Sequence, residues 1–222
     1  MPSPDALVAD LGAIANDWRG LAITWHLLFA GLFLALIAGW RPRARLLGRL
    51  LVAPLLSVSV VAWLSGNPFN GTMFAGLAAS LIWSVARFGS SSATFARSRW
   101  VAAGGGLILF GWMYPHFLRT ESWAIYVYAS PFGVLPCPTL AVVIGMTLIF
   151  GHLNAIPWRA GLMVAGLFYG AIGVFRLGVL LDLGLLLASA MLGAAIACDP
   201  EPPDHTTRVA RRMLSSTRAS LT

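Results

Sequence analysis

The stretch SPFGVLPCPT at residues 130–139 has the combination of residues best suited to form a small site in this sequence. Pro136 and Pro138 flank Cys137, and Thr139 follows at the start of a long apolar run. A proline in this position is typical of the first turn of a helix. The free backbone N–H groups of a helix start, together with a thiol and a hydroxyl, would make a weakly positive site facing a cavity.

A second group of candidate residues lies before this stretch. Tyr114, Pro115 and His116 end an earlier apolar run, and a folded intervening segment would bring Tyr114 and His116 within reach of Cys137. One cysteine and one histidine are a poor metal site, so we expect no metal and no other cofactor. The structural alternative stays open, with Pro138 as a first-turn proline and Cys137 as a small buried apolar residue.

Three polar residues lie within or beside apolar runs, where polar side chains are costly and often functional. His26 either bonds a neighbouring helix or ligates a cofactor, and a lone histidine more often does the first. Asp182 either caps the last helix and pairs with Arg176, or relays protons. The apolar runs contain no second carboxylate to receive a proton, which favours the structural role. Thr147 adds a hydroxyl to the fifth run.

The composition predicts a membrane protein. Hydrophobic residues make up 58% of the chain, charged residues only 10%, and the mean hydropathy is +0.79. All 15 basic residues are arginine, and they give a net charge of +7. Because most of them stand in short loops between apolar runs, as in membrane proteins, we expect no nucleic-acid partner. Enzyme motifs such as HExxH and GxSxG are missing, so we expect no catalytic residues.

The apolar runs predict an all-α polytopic bundle of about seven spans, with six as the alternative. A β-barrel would instead show shorter, alternating segments. Residues 1–20 predict an amphipathic helix, either on the membrane surface or covering the bundle. One transmembrane domain over residues 1–198 precedes a basic cytoplasmic tail at 199–222, and we predict an ordered cap at 119–137. The predicted spans are about 21–40, 48–65, 72–88, 100–118, 138–153, 160–175 and 182–198.

The arginines predict the orientation of the chain. With seven spans, 12 arginines fall on one side, and only Arg19, Arg119 and Arg176 fall on the other. Cytoplasmic loops carry the excess of basic residues in membrane proteins. The N-terminus is therefore expected outside and the C-terminus in the cytoplasm.

Several motifs resemble an uncharacterised family of small multi-pass bacterial inner-membrane proteins with an FG-x-x-PCPT segment. They are YP at 114–115, SPFGVLPCPT at 130–139, GVLLDLGLLLA at 178–188 and the NP of SGNPFNG. The resemblance implies a multi-pass fold in the bacterial cytoplasmic membrane and no established activity. The candidate functional or structural residues are Tyr114, Pro115, His116, Phe132, Gly133, Pro136, Cys137, Pro138, Thr139 and Asp182, with His26 and Thr147 as intramembrane polar candidates.

Two classes of function fit these observations. The first is a permease or channel for a small solute or ion, with an outer site near the PCPT segment. The second is a non-catalytic subunit or assembly partner of a larger membrane complex. In either class membrane lipid is a partner, and a protein partner or a homo-oligomer is open. A continuous polar cavity lined by Thr24, His26, Thr139 and Thr147 would favour the first class.

Overall fold

The computed structural model describes residues 3–88, 92–120 and 122–198. Within this part every regular element is helical, which confirms the predicted all-α class, while the predicted tail at 199–222 lies outside the described residues. The α-helices of this part are α1 (Pro4–Asp17), α2 (Arg19–Ile37), α3 (Ala44–Leu64), α4 (Pro68–Val85), α5 (Ser98–Met113), α6 (Tyr126–Ala129), α7 (Pro136–Ile149), α8 (Ile156–Ala171) and α9 (Leu183–Cys198).

Four helical stretches in the described part are long and apolar enough to cross a membrane. They are Arg19–Ile37, Ala44–Leu64, Ile156–Arg176 and Leu180–Cys198. The other three predicted spans overlap α4, α5 and α7, which are shorter or less apolar. The protein thus has the helices of a transmembrane protein, and the count of seven spans stays a prediction.

Helix α7 forms the centre of the bundle, where it packs against α3, α5, α8 and α9. Residues 140–144 are completely buried. The approach to α5 is close, because a Cβ added to Gly145 would lie 2.7 Å from the carbonyl oxygen of Gly104. A helix enclosed by other helices does not need to match the lipid thickness by itself. Helix α7 itself has 14 residues.

The connections α2–α3, α4–α5 and α7–α8 lie together at one end of the bundle. The Ala93 N–H donates to the Pro42 carbonyl at 2.8 Å, and the Ala96 N–H donates to the Ile149 carbonyl at 2.8 Å. Arginines from these connections pack on aromatic rings, as where the Arg87 guanidinium lies 3.7 Å from the Trp83 ring centroid. We call the end of the bundle with these three connections the arginine end. The helices α4 and α7 begin at the opposite end.

Helix α1 covers part of that opposite end. Ser3 caps it by accepting from the Ala6 N–H at 3.2 Å. Asn16 then joins α1 to the segment after α5: its Nδ2 donates to the Phe117 carbonyl at 2.9 Å, and its Oδ1 accepts from the Arg119 N–H at 3.0 Å. Of the two predicted roles for this amphipathic helix, the contacts favour a cover for the bundle.

Candidate functional site

The turn before α7 inserts an aromatic side chain into the bundle. Phe132 is completely buried, and its ring meets the Phe29 ring edge to face at a centroid distance of 4.7 Å. The Ser130 hydroxyl donates to the Trp112 carbonyl at 2.6 Å, which fixes the turn on the end of α5. Gly133 has a φ of +75° and lies directly against the Trp25 indole. The predicted cap, as far as it is described, is folded onto the bundle.

The Thr139 hydroxyl, in the first turn of α7, forms its hydrogen bonds with the turn that precedes the helix. Thr139 Oγ1 accepts from the Gly133 N–H at 2.9 Å and donates to the Leu135 carbonyl at 2.7 Å. Helix α7 begins at Pro136, and Pro136 and Pro138 have no N–H. These contacts do not favour the weakly positive helix-start site considered from the sequence, because few amide donors are left to form it.

A buried polar cluster instead joins three elements of the fold. The Tyr114 hydroxyl, just after α5, donates to Asp182 Oδ1 at 2.8 Å. The Cys137 thiol, in the first turn of α7, lies close enough to the Asp182 carboxylate to interact with it electrostatically. Asp182 ends a short 3-10 turn before α9 and is only 2% exposed. We call Tyr114, Cys137 and Asp182 the Asp182 cluster. Asp182 directly precedes α9, and the helix cap and the Arg176 pair considered from the sequence stay predictions.

Gly173 completes the surroundings of the carboxylate. It lies in a π-helical turn, Ile172–Arg176, that continues α8. A Cβ added to Gly173 would overlap the side chain of Asp182. The backbone of this turn therefore packs directly on the carboxylate, and only glycine leaves room for it.

A cavity of about 640 Å³ lies above the Asp182 cluster, between α1 and the ends of the other helices. Most of its walls are apolar, including Leu11 from α1 and Phe117. Cys137 and Asp182 line it, and Tyr169 adds a hydroxyl that donates to Asn70 Oδ1 at 3.1 Å. Volumes of roughly 300–1,000 Å³ with few polar groups are typical of small-molecule sites.

His116 lies apart from this cavity. Among the described residues it is not part of the lining, and its ring packs edge to face on Phe117 at a centroid distance of 4.3 Å. The buried Nε2 of His116 has no hydrogen-bond partner in the described part. Within the described ranges no three His, Cys, Asp or Glu side chains come together as a metal site would require.

The intramembrane polar candidates are also separate from the cavity. His26 Nδ1 lies 2.8 Å from the Ala22 carbonyl oxygen and Nε2 lies 3.1 Å from that of Trp112, so the ring links α2 to α5. Thr147 donates to the Val143 carbonyl at 2.9 Å and accepts from Trp158 Nε1 at 3.0 Å. Each is used in helix packing.

From the sequence, a continuous polar cavity lined by Thr24, His26, Thr139 and Thr147 would favour a permease or channel. The two remaining members of this set are Thr24 and Thr139. Thr24 is exposed and bonds the Gly20 carbonyl in its own helix, while Thr139 is buried in the first turn of α7. In the described structure none of the four lines the cavity above Asp182.

The sequence did not single out Gly173, Tyr169 or Asn70, although all three line the cavity. Tyr169 and Asn70 are separated by 99 residues, and nothing local in either helix indicates that they meet. Asp182 gave a usable signal, since it is a carboxylate beside an apolar run. The partners of Asp182 could be identified only from the way α5, α7 and α9 pack together.

No family model, curated protein or solved structure matches this chain. Its function must therefore be inferred from the cavity and the Asp182 cluster.

We expect Tyr114→Phe and Asp182→Asn to destabilise the protein by about 1–3 kcal/mol each, because each change leaves a buried partner with a weaker hydrogen bond or none. The double variant should lose less than the sum, with a coupling of about 0.5–3 kcal/mol. Denaturant unfolding in detergent measures these free energies. Tyr128→Phe is the control, since Tyr128 is 52% exposed. Additive losses would show that the hydrogen bond has no energetic weight.

Proposed function

We propose that this protein is a membrane permease for a small amphipathic solute, which it binds in the cavity above the Asp182 cluster. The observation that carries the proposal is a cavity of about 640 Å³ with mainly apolar walls and one buried carboxylate in its lining. An apolar body fits the walls, and a polar head fits the carboxylate. The mainly apolar lining favours such a solute over a bare ion.

The proposed topology has seven spans in the bacterial cytoplasmic membrane, with the N-terminus outside. Its support is the distribution of arginines, of which seven between residues 41 and 99 are in or beside the connections at the arginine end. A cytoplasmic arginine end places the cavity on the outer side. The sequence resemblance to small multi-pass bacterial membrane proteins supports the same location.

The alternative function is a non-catalytic subunit or assembly partner of a larger membrane complex. It is favoured by the positions of His26 and Thr147, which lie apart from the cavity and form their hydrogen bonds within the bundle. The completely buried middle of α7 likewise lacks polar side chains between residues 140 and 144. In this alternative a protein partner or a second copy of the chain covers part of the lipid-facing surface.

Counterflow in proteoliposomes tests the proposal. Liposomes with the full chain are preloaded with unlabelled phenethylamine, 2-phenylethanol or 3-phenylpropanoate, and uptake of the same labelled compound is compared with protein-free liposomes. We expect excess uptake of at least one probe. Leu11→Trp should abolish it by filling the cavity, whereas Leu109→Trp should not, because Leu109 is 64% exposed on α5.

The outcomes separate the two functions. Protein-dependent uptake that Leu11→Trp abolishes supports the permease. Binding without uptake favours the subunit, with the cavity as a ligand site. If no probe binds and no probe is taken up, the proposal is contradicted.

A further inference from the structure

We infer that the ligand of the cavity is a small cationic amine with an aromatic or short aliphatic body. The inference rests on the proposed function, since it assumes that the cavity binds a small molecule. It names the chemical class of that molecule from the groups that line the site.

The first observation is the surroundings of Asp182. Asp182 is 2% exposed and lines the cavity, yet the polar side chains beside its carboxylate in the described part, Tyr114 and Cys137, carry no positive charge. A carboxylate held away from water is costly unless a positive charge lies nearby. An ammonium group supplies this charge together with up to three N–H donors. The cluster is therefore complementary to a protonated amine.

The second observation is the aromatic lining. Phe117 and Tyr169 both face the same cavity as Asp182. Aromatic rings attract a cation to their faces, with a gain that rises when water is excluded. Their apolar surface also binds the body of an amphipathic amine. Neither feature favours an anionic head.

The charges at the rim agree with this class. Asp10 of α1 lines the cavity and is exposed, so the lining contains a second carboxylate. Arg176 also lines it, but its side chain is exposed. A long exposed arginine keeps its guanidinium in water, where its repulsion of a bound cation is screened.

Ligand-detected NMR on the full chain in nanodiscs tests the inference. Saturation-transfer titrations give dissociation constants for phenethylamine, 2-phenylethanol and 3-phenylpropanoate, which share one aromatic body and differ in the head group. We expect the amine to bind about tenfold more tightly than the alcohol, because one charge-assisted hydrogen bond contributes about this gain in affinity. The carboxylate should bind most weakly. Empty nanodiscs correct for partition into lipid.

Two kinds of variant locate the interaction. Asp182→Asn should weaken amine binding about tenfold and leave the alcohol unchanged, because only the charged pair is lost. Leu11→Trp should abolish binding of the amine, while Leu109→Trp should retain it. The order of the three dissociation constants on the unmodified protein tests the cationic class even if Asp182→Asn does not fold.

Failure of the inference is distinguishable from failure of the proposed function. If the alcohol or the carboxylate binds as tightly as the amine and Leu11→Trp removes it, the cavity binds small molecules but the cationic class is wrong. If amine binding survives Leu11→Trp, the amine binds elsewhere and the inference is overturned. If no probe binds, the proposed function fails with it.

Discussion

Replacing Gly133 by alanine should destabilise the protein by about 3 kcal/mol, whereas the same change at Gly178 should cost only about 1–2 kcal/mol. Both glycines have positive φ values, +75° and +71°, so alanine is strained at either position. Only at Gly133 would the new Cβ also overlap a side chain, the indole of Trp25. Trp25 cannot move away freely, because its Nε1 donates to Ser57 Oγ at 2.8 Å.

The free energy of unfolding in detergent measures both variants. Near-ultraviolet circular dichroism adds a local readout, because a displaced Trp25 changes the aromatic signal. Equal losses at Gly133 and Gly178, with an unchanged aromatic signal, would show that the turn before α7 does not depend on its contact with Trp25.

Gly104→Ala should cost about 1–3 kcal/mol, while Gly106→Ala should stabilise the protein by up to about 1 kcal/mol. A Cβ on Gly104 would overlap the backbone carbonyl of Gly145, and α5 and α7 would have to separate. Gly106 has no heavy atom of another element within 4 Å of the added Cβ. There alanine only favours the helical backbone.

These two glycines form a matched pair in one helix, two residues apart in the sequence. Their unfolding free energies in the same detergent should change in opposite directions. Destabilisation by both variants to the same extent would mean that α5 and α7 do not pack at this crossing. Gly145→Ala should reproduce the loss seen for Gly104→Ala, because its Cβ meets the facing carbonyl.

The helices could be located from the sequence because apolar runs ended by arginine or proline carry the signal locally. Each predicted span overlaps a helix, and Pro68 and Pro136 are in the first turn of α4 and α7. The Asp182 cluster could not be predicted in the same way. Tyr114 and Asp182 are 68 residues apart, and no local pattern specifies which helix ends become neighbours.

Thr139 shows a different limit. The sequence placed the Thr139 hydroxyl at the start of a helix, which is correct. A hydroxyl at that position can either face a cavity or hydrogen-bond the neighbouring backbone. The backbone of Gly133 turns back toward α7 and uses that hydroxyl as an acceptor. The direction of the turn depends on the fit of Phe132 and Trp25, and that packing is a tertiary property.

The π-helical turn Ile172–Arg176 is one residue wider than an α-helical turn, and it places Gly173 against Asp182. Each residue of an α-helix rotates the chain by about 100°. Deleting one residue here would therefore turn the wall of the cavity away from the carboxylate and leave α7 and its PCPT segment unchanged. In evolutionary terms, a single-codon deletion or insertion at this turn is a direct route by which a chain with this fold would change the shape of the cavity while keeping the same bundle.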